Sequence, residues 1–458
     1  MKYLKNIYQI WNNFNESWKF AIIAFISARV FFAIWSGIVL LTQPVAVHYV
    51  DVGDKAAVIF LDLHTNKTFT YFREMQGASL NFKPVGINIV ADQQTGSQWD
   101  IRTGISIQGS YRGRNLAHAQ YPIENIFPYY LAKPYSGTWL ALWQRFDANW
   151  YLSIAENGYG SIKEDIHFPP FYPLLINLTK PIFGNSFIAG LVISHIATLY
   201  ALKLMFDVFK EWGDISTSQQ SVFYFLIYPT SFFLFSAYTE SLFLVTILLS
   251  LRSMNKRSWA WAGFWIFCAI TTRLQGIALL IPMLYLLWRD ARFLRNPHHW
   301  AGMIIAGTGP IFYIYLRSIL ASTSIIPLQE PSLYARLAPP WVSYMYAIQS
   351  LLSGEFTYID LINWITATLF ILLLLMGWQK IPVEYSLFAI SSLIIVLTRV
   401  VETQPLMSMS RYSLTLFPAF YILSLAGEKP WARRIIIYTC IALNLYLSQE
   451  FFSWGWVA

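Results

Sequence analysis

The stretch FAIIAFISARVFFAIWSGIVLL, residues 20–41, decides the fold class. It is a continuous apolar run broken by a single charge, Arg29. A membrane-spanning helix needs about 20 apolar residues, and the run is too long for the core of a signal peptide. Basic residues favour the cytoplasmic side of a membrane, and three precede the run: Lys2, Lys5 and Lys19. The sequence therefore predicts a first transmembrane helix whose N-terminus lies inside.

The composition of the whole chain is that of a membrane protein. Of the 458 residues, 56% are hydrophobic and 12% are charged, about half the charged share of a soluble domain. Ten more apolar runs follow the first: 187–209, 219–236, 239–251, 259–274, 276–288, 300–320, 361–378, 383–400, 411–426 and 434–450. Several are shorter than the roughly 20 residues of a span, so one or two could be re-entrant. We expect an all-α polytopic membrane protein with about eleven transmembrane helices.

The basic residues form short clusters between the apolar runs. Three clusters stand out: Arg252, Lys256 and Arg257; Arg289, Arg292 and Arg295; and Lys429, Arg433 and Arg434. With eleven spans and an inside N-terminus, all three face the cytoplasm and the final EFFSWGWVA lies outside. The net charge of +8 then follows from membrane orientation. We expect contacts with membrane lipids and no nucleic-acid partner.

The segment between the first two runs differs in kind over residues 45–112. Two β-rich runs flank a His-Thr-Asn-Lys turn, and alternating residues then surround turns that contain glycine. This pattern predicts a small β-rich external insert in the first outer loop. The expected domains are an N-terminal helix at 1–44, the insert at 45–112, an outer catalytic loop with interfacial helices at 113–186 and a helix bundle at 187–458.

An acid stands among aromatic residues in WQRFDANWYLSIAENGY, residues 143–159. Asp147 could cap a short helix that begins at Ala148 and stops at Asn157-Gly158. It could also serve as a general base at the membrane surface, where a carboxylate that stays ionised meets an acceptor hydroxyl. The two interpretations are compatible in part, because a cap is also a well-fixed carboxylate.

Four segments, taken in order, resemble the motifs of the PIG-V-type mannosyltransferases, membrane glycosyltransferases of the GT-C class. They are RFDANWYLSIAENGY (145–159) with HFPPFYPLLI (167–176), YPTSFFLFSAYTESLFL (228–244), TTRLQGIALL (271–280) and SRYSLTLFP (410–418). The chain departs from the family where Phe146 replaces a usual Trp and where Leu274-Gln275 replace Ser-Asn. The insert has no counterpart in the family.

The resemblance implies a GT-C-like fold and a polyprenyl-phosphate sugar donor. It also implies that Asp147 activates a lipid or glycan acceptor on the outer face, and that a hexose, mannose in the family, is transferred with inversion. No dinucleotide-binding glycine motif follows a strand, and no acid cluster has metal spacing, so we expect neither a cofactor nor a metal. A prokaryotic plasma membrane is the favoured location, with the endoplasmic reticulum as the eukaryotic equivalent.

The alternatives are a GT-C transferase of another sugar, a polytopic lipid or polysaccharide transporter, and a non-catalytic subunit whose insert binds a partner. A transporter should carry ionisable groups at the midplane of several spans. Here the topology places the candidate charged residues at or near the outer face, which favours the transferase.

The remaining candidate residues lie in or beside the matched segments. Arginines at outer helix ends can bind a phosphate and stabilise the charge that grows as the sugar leaves, which points to Arg273 and Arg411. Each could instead anchor to lipid headgroups or pair with Glu240. Further substrate-binding candidates are Arg145, His167, Tyr238, Glu240 and Tyr412.

Several of these residues have a second interpretation. Glu240 could cap its helix or bind sugar hydroxyls, and Arg145 could orient Asp147 or meet a lipid phosphate. His167 could be plain polar surface. Outside the candidate set, Arg399 and Arg29 are interpreted as anchoring or paired residues, and His195 as a packing histidine.

Overall fold

The computed structural model describes Trp11 and residues 14–136, 139–290, 297–323 and 336–457. Four basic residues of the sequence argument, Lys2, Lys5, Arg292 and Arg295, lie outside these described residues. The chain forms two compact units. The first holds the described residues up to Ala28, Tyr151–Leu445 and Val457, and the second holds Arg29–Trp150 and Tyr446–Trp456.

Helices dominate the structure. Their bounds are α1 Glu16–Thr42, α2 Asp147–Asn157, α3 Phe171–Phe183, α4 Ser186–Trp212, α5 Ile215–Ile227, α6 Glu240–Asn255, α7 Trp259–Thr272, α8 Leu280–Trp288, α9 Pro297–Thr323, α10 Pro340–Ser353, α11 Tyr358–Gly377, α12 Val383–Leu397, α13 Met409–Ser413, α14 Pro418–Ala426 and α15 Pro430–Phe452. Short 3-10 turns include Lys163–His167, Ser231–Phe235 and Leu274–Leu279. The bundle is mostly helical, as expected, although it also contains one short strand pair.

Five helices of the described chain, α1, α4, α9, α11 and α15, are long and apolar enough to cross a membrane. The protein is an integral membrane protein, as expected. The count of eleven spans is not confirmed, because only these five helices of the described residues meet the length and hydropathy of a span. Two of the apolar runs are also divided. The run at 219–236 splits into α5 and the turn Ser231–Phe235, and the run at 411–426 splits into α13 and α14. Helix α10 was not foreseen.

The β-rich insert of the second unit is confirmed. Strands β1 Val45–Val52, β2 Lys55–Asp62 and β3 Lys67–Phe72 form an antiparallel sheet in sequence order. A second antiparallel sheet contains β6 Phe82–Gly86, β7 Ile89–Asp92, β8 Gln98–Asp100 and β9 Ser106–Gln108, and a hairpin of β4 Glu74–Met75 and β5 Ala78–Ser79 lies between the two in sequence.

The insert has a hydrophobic core of its own. Large side chains from both sheets, among them Phe60, Tyr71, Phe82 and Trp99, are buried together. An isolated bridge joins Tyr71 to His118, so backbone pairing of the insert continues past residue 112. A short pair in the first unit, β10 Arg336–Leu337 with β11 Arg399–Val400, completes the strands of the described chain.

Helices α7 and α9 of the first unit approach until their backbones touch at glycines. A Cβ atom added at Gly302 would lie 2.6 Å from the carbonyl oxygen of Trp259, and one at Gly263 would overlap the carbonyl oxygen of Gly302. Small residues allow such close approach between membrane helices, where packing drives association. Gly307, on the same helix α9, has open space around its Cα.

We predict that Gly302→Ala destabilises the protein and Gly307→Ala does not. Both substitutions replace glycine by alanine within α9 and so gain the same helix propensity. The difference in stability between the two variants therefore reports the clash with α7. Overpacking of this kind costs about 1–3 kcal/mol, so the melting temperature of the purified Gly302→Ala protein should fall. Equal melting temperatures for the two variants would show that the helices separate freely at this point.

Candidate active site

The first unit contains a fully buried carboxylate, that of Glu240. Glu240 is the first residue of α6 and has 0% of its surface exposed. Its Oε1 atom accepts hydrogen bonds from the guanidinium groups of both Arg273 and Arg411. These arginines are 8% and 7% exposed. Burying a charge is costly unless it is paired, so the three side chains stabilise one another only as a set.

The backbone before Glu240 is buried as completely as its side chain. The preceding motif folds as the 3-10 turn Ser231–Phe235, and every residue from 231 to 240 is buried. Thr198 Oγ1 donates 2.8 Å to the carbonyl oxygen of Leu234, and Ser194 Oγ donates 3.0 Å to that of Tyr238. Hydroxyl groups of α4 therefore satisfy carbonyls that the irregular turn leaves open.

Arg273 is aimed by a sharp change of direction after α7. The residue is extended, with φ −151° and ψ 134°, and the chain then enters the turn Leu274–Leu279. A Cβ atom at Gly276 would lie 2.6 Å from the backbone of Ala269, so only glycine allows the turn to fold back onto the helix end. This explains the glycine of the TTRLQG motif.

Arg411 comes from the short helix α13. Ser408 precedes that helix in the left-handed region, with φ +64°, and its carbonyl oxygen accepts a 3.0 Å hydrogen bond from the Arg411 amide. Thr230 Oγ1 donates 2.9 Å to the carbonyl oxygen of Ser410, and Asn363 Oδ1 accepts from the Ser410 amide at 3.0 Å. The helix is thus tied both to the buried turn and to α11.

Tyrosine rings cover the arginines. The guanidinium carbon of Arg411 is 4.6 Å from the ring centre of Tyr238, and that of Arg273 is 4.9 Å from the ring centre of Tyr412. Arg399 donates 2.6 Å to the Tyr412 hydroxyl and has its guanidinium carbon 5.9 Å from the same ring. Cation–π contacts of this kind strengthen where water is excluded. Tyr412 therefore contacts two cations at once.

The cluster carries more positive than negative charge. Among the described residues, three guanidinium groups, those of Arg273, Arg399 and Arg411, are linked to one carboxylate, Glu240, directly or through Tyr412. Arg399 and Tyr412 are only half-buried, unlike the other members. These two residues are therefore the more accessible members of the cluster.

His167 lies in the electrostatic environment of this cluster. The residue ends the 3-10 turn Lys163–His167 and is half-buried. Burial lowers the pKa of its imidazole from 6.5 to about 4, with further lowering from Arg317 and Arg399. The side chain is therefore neutral near pH 7, so it contributes hydrogen bonding and no charge.

Two residues outside the candidate set contact this cluster. Thr239 Oγ1 accepts a 3.2 Å hydrogen bond from Arg273 and lies 3.3 Å from the Tyr151 hydroxyl. Arg399 was interpreted as an anchor, yet it binds the Tyr412 hydroxyl. The useful signal for Arg399 would have been its proximity in sequence to the SRYSLTLFP segment, which contains Tyr412.

Asp147 and Arg145 belong to the second unit. Helix α2 runs Asp147–Asn157, and Gly158 follows with φ +74°, close to the expected bounds. Asp147 is half-buried, whereas Arg145 is 0% exposed and donates to the carbonyl oxygens of Ala141 at 2.7 Å and Phe452 at 3.1 Å. Arg145 thus binds backbone, which favours its positioning interpretation.

The residues kept outside the candidate set have packing contacts. His195 Nδ1 is 2.6 Å from the carbonyl oxygen of Leu191, and its ring packs near Phe25 and Phe235, as a packing histidine would. In the second unit the guanidinium carbon of Arg29 lies 4.8 Å and 5.1 Å from the ring centres of Trp139 and Trp143. Within the described ranges, no three His, Cys, Asp or Glu side chains cluster as metal ligands would.

A protein-family model matches part of the chain. Residues 167–309 match the family model of dolichyl-phosphate-mannose-protein mannosyltransferases. The matched stretch includes His167, Tyr238, Glu240 and Arg273 but is less than half of the chain. This family consists of mannosyltransferases but is not the PIG-V-type family. Membership of the PIG-V-type family therefore stays a prediction. No curated protein sequence matches the chain.

A solved structure is also similar. It is the crystal structure of ArnT from Cupriavidus metallidurans bound to undecaprenyl phosphate, with 13% sequence identity and a TM-score of 0.37. The alignment covers 63% of this chain and 66% of ArnT, slightly less than two thirds of that protein. At this TM-score the likeness carries no conclusion about the site.

We predict that Glu240→Gln strongly destabilises the protein. The change removes the carboxylate charge that both buried guanidinium groups contact, and loss of one partner from a buried pair costs about 3–5 kcal/mol. Glu402→Gln is the matched control, because Glu402 pairs with Arg336 at 2.9 Å while both side chains are more than half exposed. That pair is worth no more than about 1 kcal/mol. Melting curves should therefore separate the two variants, and similar curves would mean that Glu240 is dispensable.

Proposed function

We propose that the protein is a GT-C-type membrane glycosyltransferase. In this proposal it moves a hexose, mannose in the first instance, from a polyprenyl-phosphate donor to a lipid or glycan acceptor on the outer face of the membrane. The observation that carries the proposal is the buried set of Arg273, Glu240 and Arg411, formed by three segments that resemble the motifs of such enzymes. The match of residues 167–309 to a dolichyl-phosphate-mannose-dependent family supports the same donor chemistry.

On the donor side, the arginines hold the phosphate. As the bond between the anomeric carbon and the phosphate oxygen breaks, negative charge grows on the departing polyprenyl phosphate. Fixed guanidinium groups stabilise that charge without reorganisation, and their effect is larger where water is excluded. Glu240 holds two of them in place, and its complete burial directs it to the arginines instead of to sugar hydroxyls.

On the acceptor side, Asp147 removes the proton of the attacking hydroxyl. The hydroxyl oxygen forms the new bond to the anomeric carbon as the phosphate leaves from the opposite side, so the configuration inverts. A positioned carboxylate contributes about 10²–10⁴-fold to such a step. Arg145 takes the role of fixing the backbone before Asp147, since its donors reach main-chain carbonyls.

The other candidates have supporting roles in this proposal. Tyr238 and Tyr412 cover the arginines with aromatic faces, and such faces also suit the apolar side of a sugar ring. His167, neutral near pH 7, offers hydrogen bonds to the donor. No cofactor or metal takes part, and a prokaryotic plasma membrane is the proposed location.

We predict that Asp147→Asn strongly slows transfer but keeps the fold. Asparagine caps a helix about as well as aspartate, so the melting curve should be unchanged while turnover falls by roughly 10²–10⁴-fold. Turnover is measured with labelled polyprenyl-phosphate mannose and an extract of the source membranes as acceptor. The control is Asp360→Asn, since Asp360 sits in the capping box of α11 and accepts a 2.8 Å hydrogen bond from the Thr357 amide. An active Asp147→Asn enzyme would return Asp147 to a capping role.

We also predict that Arg411→Ala weakens binding of the lipid phosphate. Undecaprenyl phosphate is the probe, and its affinity should drop at least tenfold because a guanidinium–phosphate contact is charge-assisted. Glu240 keeps only Arg273 of its two partners in this variant, so stability should fall, and the affinity is measured per folded molecule with the folded fraction taken from melting curves. Arg434→Ala removes an exposed arginine of α15 as control. Unchanged affinity would exclude Arg411 from the donor site. If the wild-type protein moves the lipid across a membrane but transfers no sugar, the transporter alternative is favoured.

A further inference from the structure

Two bulky residues of the second unit adopt a backbone conformation that favours glycine. Phe146, directly before Asp147, has φ +47°, and Trp454 has φ +61°. Positive φ is a clear outlier for a large side chain and costs of order 1–3 kcal/mol, so it persists only where surrounding contacts impose it. The two rings contact each other with centres 5.2 Å apart and planes at 66°.

The contacts that impose this conformation come from the segment Phe451–Trp456, which ends α15 and follows it. Around the Phe146 ring, the ring centres of Phe451, Trp454 and Trp456 lie at 6.0 Å, 5.2 Å and 5.6 Å. Edge and tilted packing of aromatic rings contributes beyond burial alone. Three rings of one segment therefore hold the residue that sets the direction of the chain into Asp147.

The same segment also holds Arg145, the residue before Phe146. The Nε of Arg145 donates to the carbonyl oxygen of Phe452 at 3.1 Å, and its guanidinium carbon lies 4.9 Å from the ring centre of Trp454. Trp454 packs in addition against Phe127 and Tyr129, with ring centres 5.7 Å and 5.3 Å away. Trp454 is thus the shared contact of the residues that lead to Asp147.

We infer that the segment Phe451–Trp456, through Trp454 and Trp456, positions the carboxylate of Asp147 for removal of the acceptor proton. The inference rests on the proposed function of Asp147. The segment takes no part in the chemical step itself. Its residues act by fixing the backbone of Arg145 and Phe146. A displacement of about 1 Å at a reacting group can cost roughly 10²-fold in rate, so loose packing here lowers turnover without touching the donor site.

The test compares two exposed tryptophans in the last part of the chain. Trp456→Ala removes a 42% exposed ring that contacts Phe146, whereas Trp431→Ala removes a 64% exposed ring on α15 and serves as control. We expect kcat for transfer from polyprenyl-phosphate mannose to fall about tenfold in Trp456→Ala and to stay unchanged in Trp431→Ala. The donor KM and the affinity for undecaprenyl phosphate should stay within twofold in both variants.

Substitutions at Trp454 should give a larger loss of kcat, and a conservative substitution there should restore it. Trp454→Ala should lower kcat per folded molecule by about 10²-fold, and Trp454→Phe should recover most of it because a ring remains against Phe146. A merely structural role would reduce the amount of folded enzyme and leave kcat per folded molecule intact. Equal kcat in wild type, Trp456→Ala and Trp454→Ala would overturn the inference.

The Asp147→Asn background separates this inference from the proposed function. If the segment acts through Asp147, the double variant Asp147→Asn/Trp454→Ala should transfer sugar about as fast as Asp147→Asn alone. The reason is that the effects of two residues that act as a unit do not add. A full further 10²-fold loss in that background would contradict positioning of Asp147. A fully active Asp147→Asn enzyme would instead refute the proposed base, whatever the tryptophan variants show.

Discussion

The pairing of one buried carboxylate with two guanidinium groups constrains the rest of the bundle. Glu240 cannot stay charged at 0% exposure without both partners, and Arg273 and Arg411 are 33 and 171 residues away in the sequence. Three segments that begin or end helices must therefore meet at one atom, Glu240 Oε1. The buried turn before α6, the reversal at Gly276 and the left-handed Ser408 are the local means by which they do so.

The same pairing sets the electrostatic character of the site. A single acid neutralises part of the charge and fixes two arginines, while Arg399 adds another cation on the half-buried side through Tyr412. Aromatic faces of Tyr238 and Tyr412 contact the guanidinium groups of Arg411 and Arg273 beside the carboxylate. This charge pattern is the basis of the proposal that the site holds a lipid phosphate.

Sequence reasoning was most successful where the signal was local. Asp147 and the Asn157-Gly158 pair predicted the bounds of α2, and the alternating residues predicted the β-rich insert. Both signals are local, because helix caps and strand patterns depend on neighbouring residues. The division of the run at 411–426 was missed, although Pro418 begins α14. Helix α10 was missed because aromatic, serine and glutamine residues interrupt its apolar character. The contacts of Tyr412 with Arg399, and of Phe146 with Trp454, join distant parts of the chain and leave no local pattern.

The contact between Arg145 and Phe452 has a consequence for biosynthesis. These residues are 307 positions apart, so at about 5–20 residues per second the ribosome needs roughly 15–60 s to deliver the second after the first. During that interval Phe146 lacks the rings of Phe451, Trp454 and Trp456. The backbone geometry before Asp147 is then completed only after residues 451–456 have been synthesised, so a nascent chain that lacks them cannot hold Asp147 in the orientation seen here.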